Sequence, residues 1–202
     1  MHKAQNRGKK IILASASERR KEILGLTGLR FSVEESGVEE TMHAGMPPQR
    51  LARLLSRQKA TAVAERRKGK DALIIAADTF IVIDGRYIGK ANDAAEARAM
   101  LRALSGRRHI VVTGYSVMDC LTGKLISAAC ETKVWFRRLD HGEIEGYIKT
   151  GEPIGKAGAY AIQGLGSIFV RKMEGDFFNV VGLPLGQLAT TLKKFGVSPF
   201  KA

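Results

Sequence analysis

The chain has 202 residues and a mass of 22.0 kDa, with 45% hydrophobic and 26% charged residues. That length and balance belong to one globular domain with its own core, and they exclude disordered, collagen-like and coiled-coil classes. The net charge is +13, and the excess is uneven: residues 1–70 carry 16 basic and 7 acidic side chains, residues 71–202 carry 17 and 13. A surface of that sign attracts nucleotides, nucleic acid or anionic lipid, or is simply well solvated.

Residues 1–10 read as a basic N-terminal extension without the apolar stretch of a secretory signal. Residues 11–14 form a short apolar strand, followed by the small-residue turn Ser15-Ala16-Ser17. Ser17 is a helix N-cap, and Ile23, Leu24 and Leu26 supply an apolar face until Gly25 and Gly28 weaken and end the helix. Residues 31–38 suggest a second strand, leading to Glu39-Glu40. Pro47-Pro48 opens a long helix through Ala64, with Leu51, Leu54, Leu55, Lys59, Ala62 and Val63 on one face and Arg50, Arg53, Arg57, Arg66 and Arg67 on the other. Residues 73–83 read as a central buried strand, turned at Asp84-Gly85 into a short return strand at 86–88.

Residues 94–104 are a helix with Ala97, Met100, Leu101 and Leu104 on one face, closed by Ser105-Gly106. Residues 109–118 and 124–136 pair as strands across a turn at Leu121-Thr122-Gly123. A helix over 140–149 precedes a long glycine-rich segment, 151–166. Residues 167–170 suggest a strand, and 183–195 a terminal helix begun by Pro184. Early alternation of strands and helices around a central run of strands means an α/β fold with a mixed sheet, in one domain spanning 1–202. The longest apolar runs fall far below the ~18 residues that span a bilayer. The two cysteines, Cys120 and Cys130, are too few for a disulfide framework. They read as reduced thiols of a soluble, cytoplasmic protein with no membrane partner.

Several chemistries lack their signatures. There is no Walker-type phosphate loop, no HExxH and no GxSxG, and Gly164-Leu165-Gly166 lacks the third glycine of a dinucleotide fingerprint. His2, His43, His109 and His141 stand apart and read as surface or packing histidines. Three features remain. Asp78 lies inside an apolar strand, so its carboxylate is paired, metal-bound or exposed at a strand end. Ser15, Arg19 and Arg20 sit where a strand meets a helix start, a setting that suits a phosphate. The segment around Lys156 and Gln163 combines close-approach glycines with an amide able to donate and accept at a base edge. Lys59 and Lys90, taken singly, read as solvated lysines.

These stretches line up in order with one family. Residues 13–20, 76–79, 89–90, 104–109, 131–137, 151–160, 162–164 and 181–185 together resemble the Maf family of nucleoside triphosphate pyrophosphatases, also called septum formation inhibitor proteins. The resemblance implies an elongated domain with helices flanking a twisted mixed sheet and a central groove. It implies hydrolysis of a nucleoside triphosphate to the monophosphate and pyrophosphate with a divalent metal, Mg²⁺ or Mn²⁺. Residue by residue, it places the catalytic acid at Asp78, a second acid at Glu40 (with Glu39 adjacent), and lysines at Lys59 and Lys90. Asp78 and Glu40 would hold the metal. Ser15, Arg19, Arg20 and Lys156 would bind substrate.

Arg19, Thr79 and Gln163 match the subgroup acting on dTTP and UTP; the subgroup preferring 7-methyl-GTP carries Trp, Gln and Glu there. Glu18 and Ala91 stand where the family usually has proline. The resemblance is compatible with a homodimer. Two other readings are a cell-division regulator acting through binding, and a nucleic-acid binder. The second is disfavoured by 6% aromatic content and by the lack of basic and aromatic residues interleaved in one patch.

Overall fold

The computed structural model describes residues 9–39 and 45–200. Their sheet has seven strands in the order β2 (Phe31–Val33), β1 (Lys10–Leu13), β3 (Ala72–Ile83), β5 (Arg108–Asp119), β6 (Leu125–Phe136) and β7 (Val170–Glu174), with β4 (Arg86–Ile88) on β3. The chain divides into two compact units. One comprises Met1–Asp78, Thr113–Cys130 and Gly182–Ala202, and the other Thr79–Val112 and Glu131–Val181. The mixed α/β class expected from the alternation is the one observed.

In the first unit, β1 (Lys10–Leu13) leads into α1 (Glu18–Gly25) and β2 (Phe31–Val33). α2 (Pro48–Arg66) then leads into β3 (Ala72–Ile83), which continues into the second unit. β1 is parallel to both neighbours, with Ile11 opposite Phe31 and Leu13 opposite Ile75. The strand expected over 31–38 stops at Val33. Its continuation is drawn off by α2: Arg66 and Arg67 donate to the Glu34 carboxylate at 2.9 Å each, and Arg66 also donates to the carbonyls of Glu35 and Ser36. Those carbonyls find side-chain donors instead of a ladder. Hydrogen bonds from Arg66, then Arg67, hold the Glu34 carboxyl below its ordinary range.

α2 buries Leu51, Leu55, Lys59 and Val63 and leaves Arg50, Arg53, Arg57, Arg66 and Arg67 outside, as its periodicity predicts, while Leu54 and Ala62 are half-buried and Ala52 and Ala60 are buried in addition. Its fit against β5 (Arg108–Asp119) depends on Gly114. A Cβ there would stand 2.0 Å from the Ala52 carbonyl oxygen, so only glycine permits this approach. Beside it Ser56, Ser116 and Ser127 share hydroxyl hydrogen bonds of 2.9 and 2.8 Å. The terminal helix expected over 183–195 is α6 (Leu185–Lys193), preceded by Pro184 as foreseen.

In the second unit, β3 ends in an antiparallel pairing with β4 (Arg86–Ile88), Ile81 opposite Ile88. α3 (Ala94–Leu104) is capped by Asp93. β6 (Leu125–Phe136) also runs through both units and neighbours β5, as the hairpin reading requires. α4 (His141–Lys149) opens with a complete capping box between Asp140 and Glu143.

Residues 165–169 form a 3₁₀ turn, and the strand placed at 167–170 is instead β7 (Val170–Glu174), antiparallel to β6. The reason is a partner thirteen and fourteen residues earlier: the amides of Leu165 and Gly166 donate to Glu152, which tightens the backbone there. A short helix, α5 (Phe177–Val181), was not foreseen. Asp176 accepts from the Asn179 amide (3.1 Å), and Asn179 Nδ2 donates to Val111 O and Thr132 Oγ1, so one buried side chain fixes the helix.

The second unit's core gathers Ile81, Leu101, Leu104, Val134, Phe136 and Phe169 around a buried histidine. His109 shares a 2.9 Å hydrogen bond with the Tyr160 hydroxyl, and its ring meets Phe136 edge-on. Burial lowers the His109 pKa to about 3. The folded state refuses a proton that the unfolded chain accepts near pH 6.5. Its contribution is complete above pH 6.5 and is lost as pH falls toward 3, with a slope of up to about 1.4 kcal/mol per pH unit. In urea titrations between pH 7 and 4.5, His109→Gln is therefore expected to lose less stability than the unaltered protein. Equal slopes would refute this.

Candidate active site

The strand order β2-β1-β3, with all three parallel, makes the carboxyl end of β1 a point where the chain's connections diverge. After β1 the chain goes to one side through α1, and it later reaches the other side through α2. Open α/β sheets bind ligands at such points, because there the loops part and leave helix starts exposed. The residues singled out in the first unit lie at this edge. Ala14 donates its amide to Ile75 O at 2.7 Å, and Asp78 follows three residues further along β3.

The turn after β1 is organised by hydroxyls and one arginine. Ser15 Oγ accepts from the Ser17 amide (3.2 Å) and from Arg20 Nη1 (3.2 Å). Ser17 caps α1 as expected, accepting from the Arg20 amide at 3.5 Å. Arg20 is 8% exposed and its Nε donates to Gly182 O at 2.9 Å, so its guanidinium is locked between two chain segments. Arg19 is half-buried. Glu18 points out and pairs with Lys21 at 3.3 Å, a contact between exposed groups that contributes little.

Asp78 is 2% exposed and Lys59 7%. Lys59 Nζ donates to Asp78 Oδ1 at 2.5 Å. Of the three environments the sequence left open for Asp78, the observed one is a buried ion pair. Lys59 is thus not a solvated lysine; it is an inward-facing cation on a helix face that is otherwise apolar apart from Ser56. Such a pair is costly to desolvate and contributes little net stability, so its presence calls for a reason other than stability.

Glu40, the second expected acid, lies outside the described residues, and the adjacent Glu39 is exposed. Among the described residues no three His, Cys, Asp or Glu side chains gather as a metal cluster. The donor that is present fits a hard divalent cation nonetheless. The Asp78 carboxylate, just past the end of β1, is an oxygen ligand, and Mg²⁺ takes only one or two protein carboxylates, completing its shell with substrate oxygens and water.

The second unit carries the remaining candidates. Thr79 follows Asp78 directly and is half-buried. Lys90 and Lys156 are brought together by backbone pairing: Lys90 bridges Ala157, Ala91 donates to Lys156 O (3.2 Å), and Gly155 and Gly158 donate to Ala91 O and Gly89 O. Lys90 is exposed, and Lys156 is half-buried with its ammonium 3.4 Å from Ile154 O. The position where proline was expected, Ala91, is fully buried and held by two backbone hydrogen bonds, one of which a proline could not donate. Gln163 stands exposed in the turn before residues 165–169.

Two residues escaped the sequence reading as candidates. Glu152 accepts from the Tyr147 hydroxyl (2.7 Å) and from the amides of Leu165 and Gly166 (3.0 Å each). Tyr147 in turn accepts from the Ala161 amide at 3.1 Å. The available signal was the Gly-Glu-Pro stretch at 151–153, whose acid had no assigned partner.

A sheet of this order, with a buried acid–lysine pair and an arginine-locked turn beside its parallel strands, defines an α/β protein with a candidate anion site just past the carboxyl end of β1. The fold is shared with a solved structure of the Staphylococcus aureus Ham1 protein, at a TM-score of 0.52 and 15% identity, covering 93% of this chain and 100% of that one. The chain belongs to the Maf-like protein family, whose profile matches residues 10–195. A dTTP/UTP pyrophosphatase of Pelotomaculum thermopropionicum is 48% identical over 188 residues, 93% of this chain and 97% of its own. A protein of the same name from Methanosarcina barkeri is 47% identical over 194 residues, covering 96% and 98%. The family expected from the ordered motifs is thereby borne out. No helix among the described residues is long and apolar enough to cross a membrane.

Proposed function

We propose that the chain is a nucleoside triphosphate pyrophosphatase acting on dTTP and UTP, releasing the nucleoside monophosphate and pyrophosphate. The observation that carries this reading is the buried Lys59–Asp78 pair, with Asp78 on β3 three residues past the level where β1 ends and Ser15 and Arg20 fix a helix start. The family membership and the names of the relatives support it.

Breaking a phosphoanhydride needs a placed water, an acceptor for its proton and neutralisation of the leaving charge. Asp78 is the proton acceptor: the water oxygen bonds to phosphorus, the bond between the α and β phosphates breaks, and the water's proton passes to the carboxylate. Lys59 holds Oδ1 of that carboxylate in one orientation and keeps a cation at the site. Arg20, fixed by Ser15 and the Gly182 carbonyl, keeps a charge at the α1 start, the end of a helix whose polarity favours an anion. Arg19, Lys90 and Lys156 are assigned to phosphate oxygens, and Thr79 and Gln163 to the base. Asp78 and Glu40 would hold Mg²⁺ or Mn²⁺, which when bound supplies charge neutralisation on the phosphates and polarises the water. We place the protein in the cytoplasm, where Cys120 and Cys130, both buried and neither in a disulfide, suit a reducing compartment.

A panel of canonical and modified nucleoside triphosphates, with pyrophosphate release followed at fixed Mg²⁺ or Mn²⁺, tests the reading directly. Release from none of them would end it. Within that assay Arg20→Ala is expected to lower kcat/KM roughly 30-fold, about 2 kcal/mol, because a buried, pre-oriented cation is lost. Lys90→Ala, removing an exposed and solvent-screened cation, should cost less, about 1 kcal/mol. Arg66→Ala, whose contacts run to Glu34, Glu35 and Ser36, should leave kcat/KM unchanged. Equal losses at all three positions would mean bulk electrostatics rather than a site.

A further inference from the structure

We propose that Glu152 and Tyr147 are positioning residues for base recognition, clamping the two flanks of Gln163 so that its amide presents a fixed edge. The inference rests on the assignment of Gln163 to the base. The clamp is one carboxylate–phenol unit. Glu152 Oε1 accepts from the Tyr147 hydroxyl (2.7 Å) and the Gly166 amide (3.0 Å), and Oε2 accepts from the Leu165 amide (3.0 Å). The phenol oxygen accepts from the Ala161 amide at 3.1 Å. The chain is thus tied two residues before Gln163 and again two and three residues after it.

The clamp is tight and rigidly mounted. A Cβ at Gly164 would stand 2.3 Å from Glu152 Oε2, so the carboxylate lies directly against the backbone next to Gln163. Tyr147 is on α4, its ring edge-on to Phe169 at 4.9 Å. α4 is itself capped by Asp140 and joined to α3 by the forked Arg98–Glu145 pair. Three donors on one carboxylate form charge-assisted bonds, roughly twice as strong as neutral ones, on the backbone that carries Gln163. An exposed glutamine has many rotamers and a mobile backbone would add more; fixing that backbone lowers the entropy lost when the amide pairs with a base.

The side-chain chemistry makes the unit testable by minimal changes. Glu152→Gln places an NH₂ where one of the two loop amides needs an acceptor, so one of the two ties after Gln163 is lost while volume is kept. Tyr147→Phe keeps the ring and removes only the oxygen, releasing Ala161. Each is expected to raise KM for dTTP and UTP on the order of 10-fold with kcat changed less than about 3-fold. The preference for dTTP over GTP should fall with it. In a Gln163→Ala background, neither substitution should have a further effect on KM or preference, because the group they position is gone.

Glu145→Gln, which breaks the Arg98 pair on the same helix, serves as the control: it is expected to lower Tm without moving the preference. If Glu152→Gln and Tyr147→Phe keep the KM and preference of the unaltered protein, or if their effects persist undiminished in the Gln163→Ala background, the positioning role is overturned while base reading by Gln163 stands. If the unaltered protein hydrolyses dTTP, UTP and GTP with equal kcat/KM, the base assignment falls and this inference falls with it.

Discussion

Asp78→Asn is expected to lower kcat by a factor on the order of 10² or more while the protein keeps its fold. Asparagine is nearly isosteric, and its Oδ1 can still accept from Lys59 Nζ, now 2.5 Å from the native Oδ1. The buried ammonium therefore keeps an acceptor, and the helix–strand contact between α2 and β3 persists. What is lost is the negative charge and with it the ability to take a proton from water. KM should change far less than kcat, since removing a proton acceptor acts on the transition state more than on ground-state binding.

Lys59→Ala is a harsher change of a different kind. It strands a carboxylate that is 2% exposed, a loss of order 3 kcal/mol in stability for a broken buried pair. The two variants differ in how far folding is touched: circular dichroism should be near normal for Asp78→Asn with Tm lowered, because the buried Lys59 ammonium then faces a neutral acceptor, and Tm should fall further for Lys59→Ala, which removes the cation and its hydrogen bond altogether. A near-normal turnover of the best substrate by Asp78→Asn would remove Asp78 from the mechanism.

How much of this was legible from residues follows from the range of the interactions involved. α2, α3 and α4 show their burial in their own periodicity and caps, and each forms where its apolar spacing places it. Asp78 is conspicuous because a carboxylate inside an apolar strand needs compensation, but its partner comes from a helix 19 residues earlier. The periodicity of α2 turns Lys59 inward, on the face opposite the arginines, but no local pattern names its partner, and taken singly it reads as one more solvated cation. The stretch after β2 failed for a related reason. Its residues favour a strand, yet Arg66 and Arg67, more than thirty residues on, claim its carbonyls and its acid.

The 165–169 segment shows the same dependence on distant partners. Ser167 to Val170 reads as extended, but the Glu152 carboxylate reaches across thirteen residues to the Leu165 amide. α5 hangs on Asn179, whose partners Val111 and Thr132 lie 68 and 47 residues away. Local propensity is a weak prior wherever one buried polar group can satisfy several backbone atoms at once.

Substrate preference is expected to follow Gln163. dTTP and UTP should be hydrolysed well above GTP and 7-methyl-GTP, and Gln163→Glu should reduce the pyrimidine preference on the order of 10²-fold. The argument is one of donors and acceptors. A thymine or uracil edge presents a carbonyl beside N3–H, and a glutamine amide can donate to the first while accepting from the second. A glutamate can only accept, so it would face the carbonyl with a charge and lose one bond of the pair; the donor-rich edge of guanine suits it instead. Gln163 stands exposed, with the chain anchored on either side at Ala161 and at Leu165 and Gly166, so the exchange alters the reading atoms without disturbing a core. Gln163→Glu should therefore keep a normal Tm, and its kcat on GTP should not fall below that of the unaltered protein. Competition assays with dTTP, UTP, GTP and 7-methyl-GTP measure the ratio directly. A clear preference of the unaltered protein for 7-methyl-GTP would defeat the assignment of Gln163 to a pyrimidine while leaving pyrophosphate release, and the roles of Asp78 and Arg20, intact.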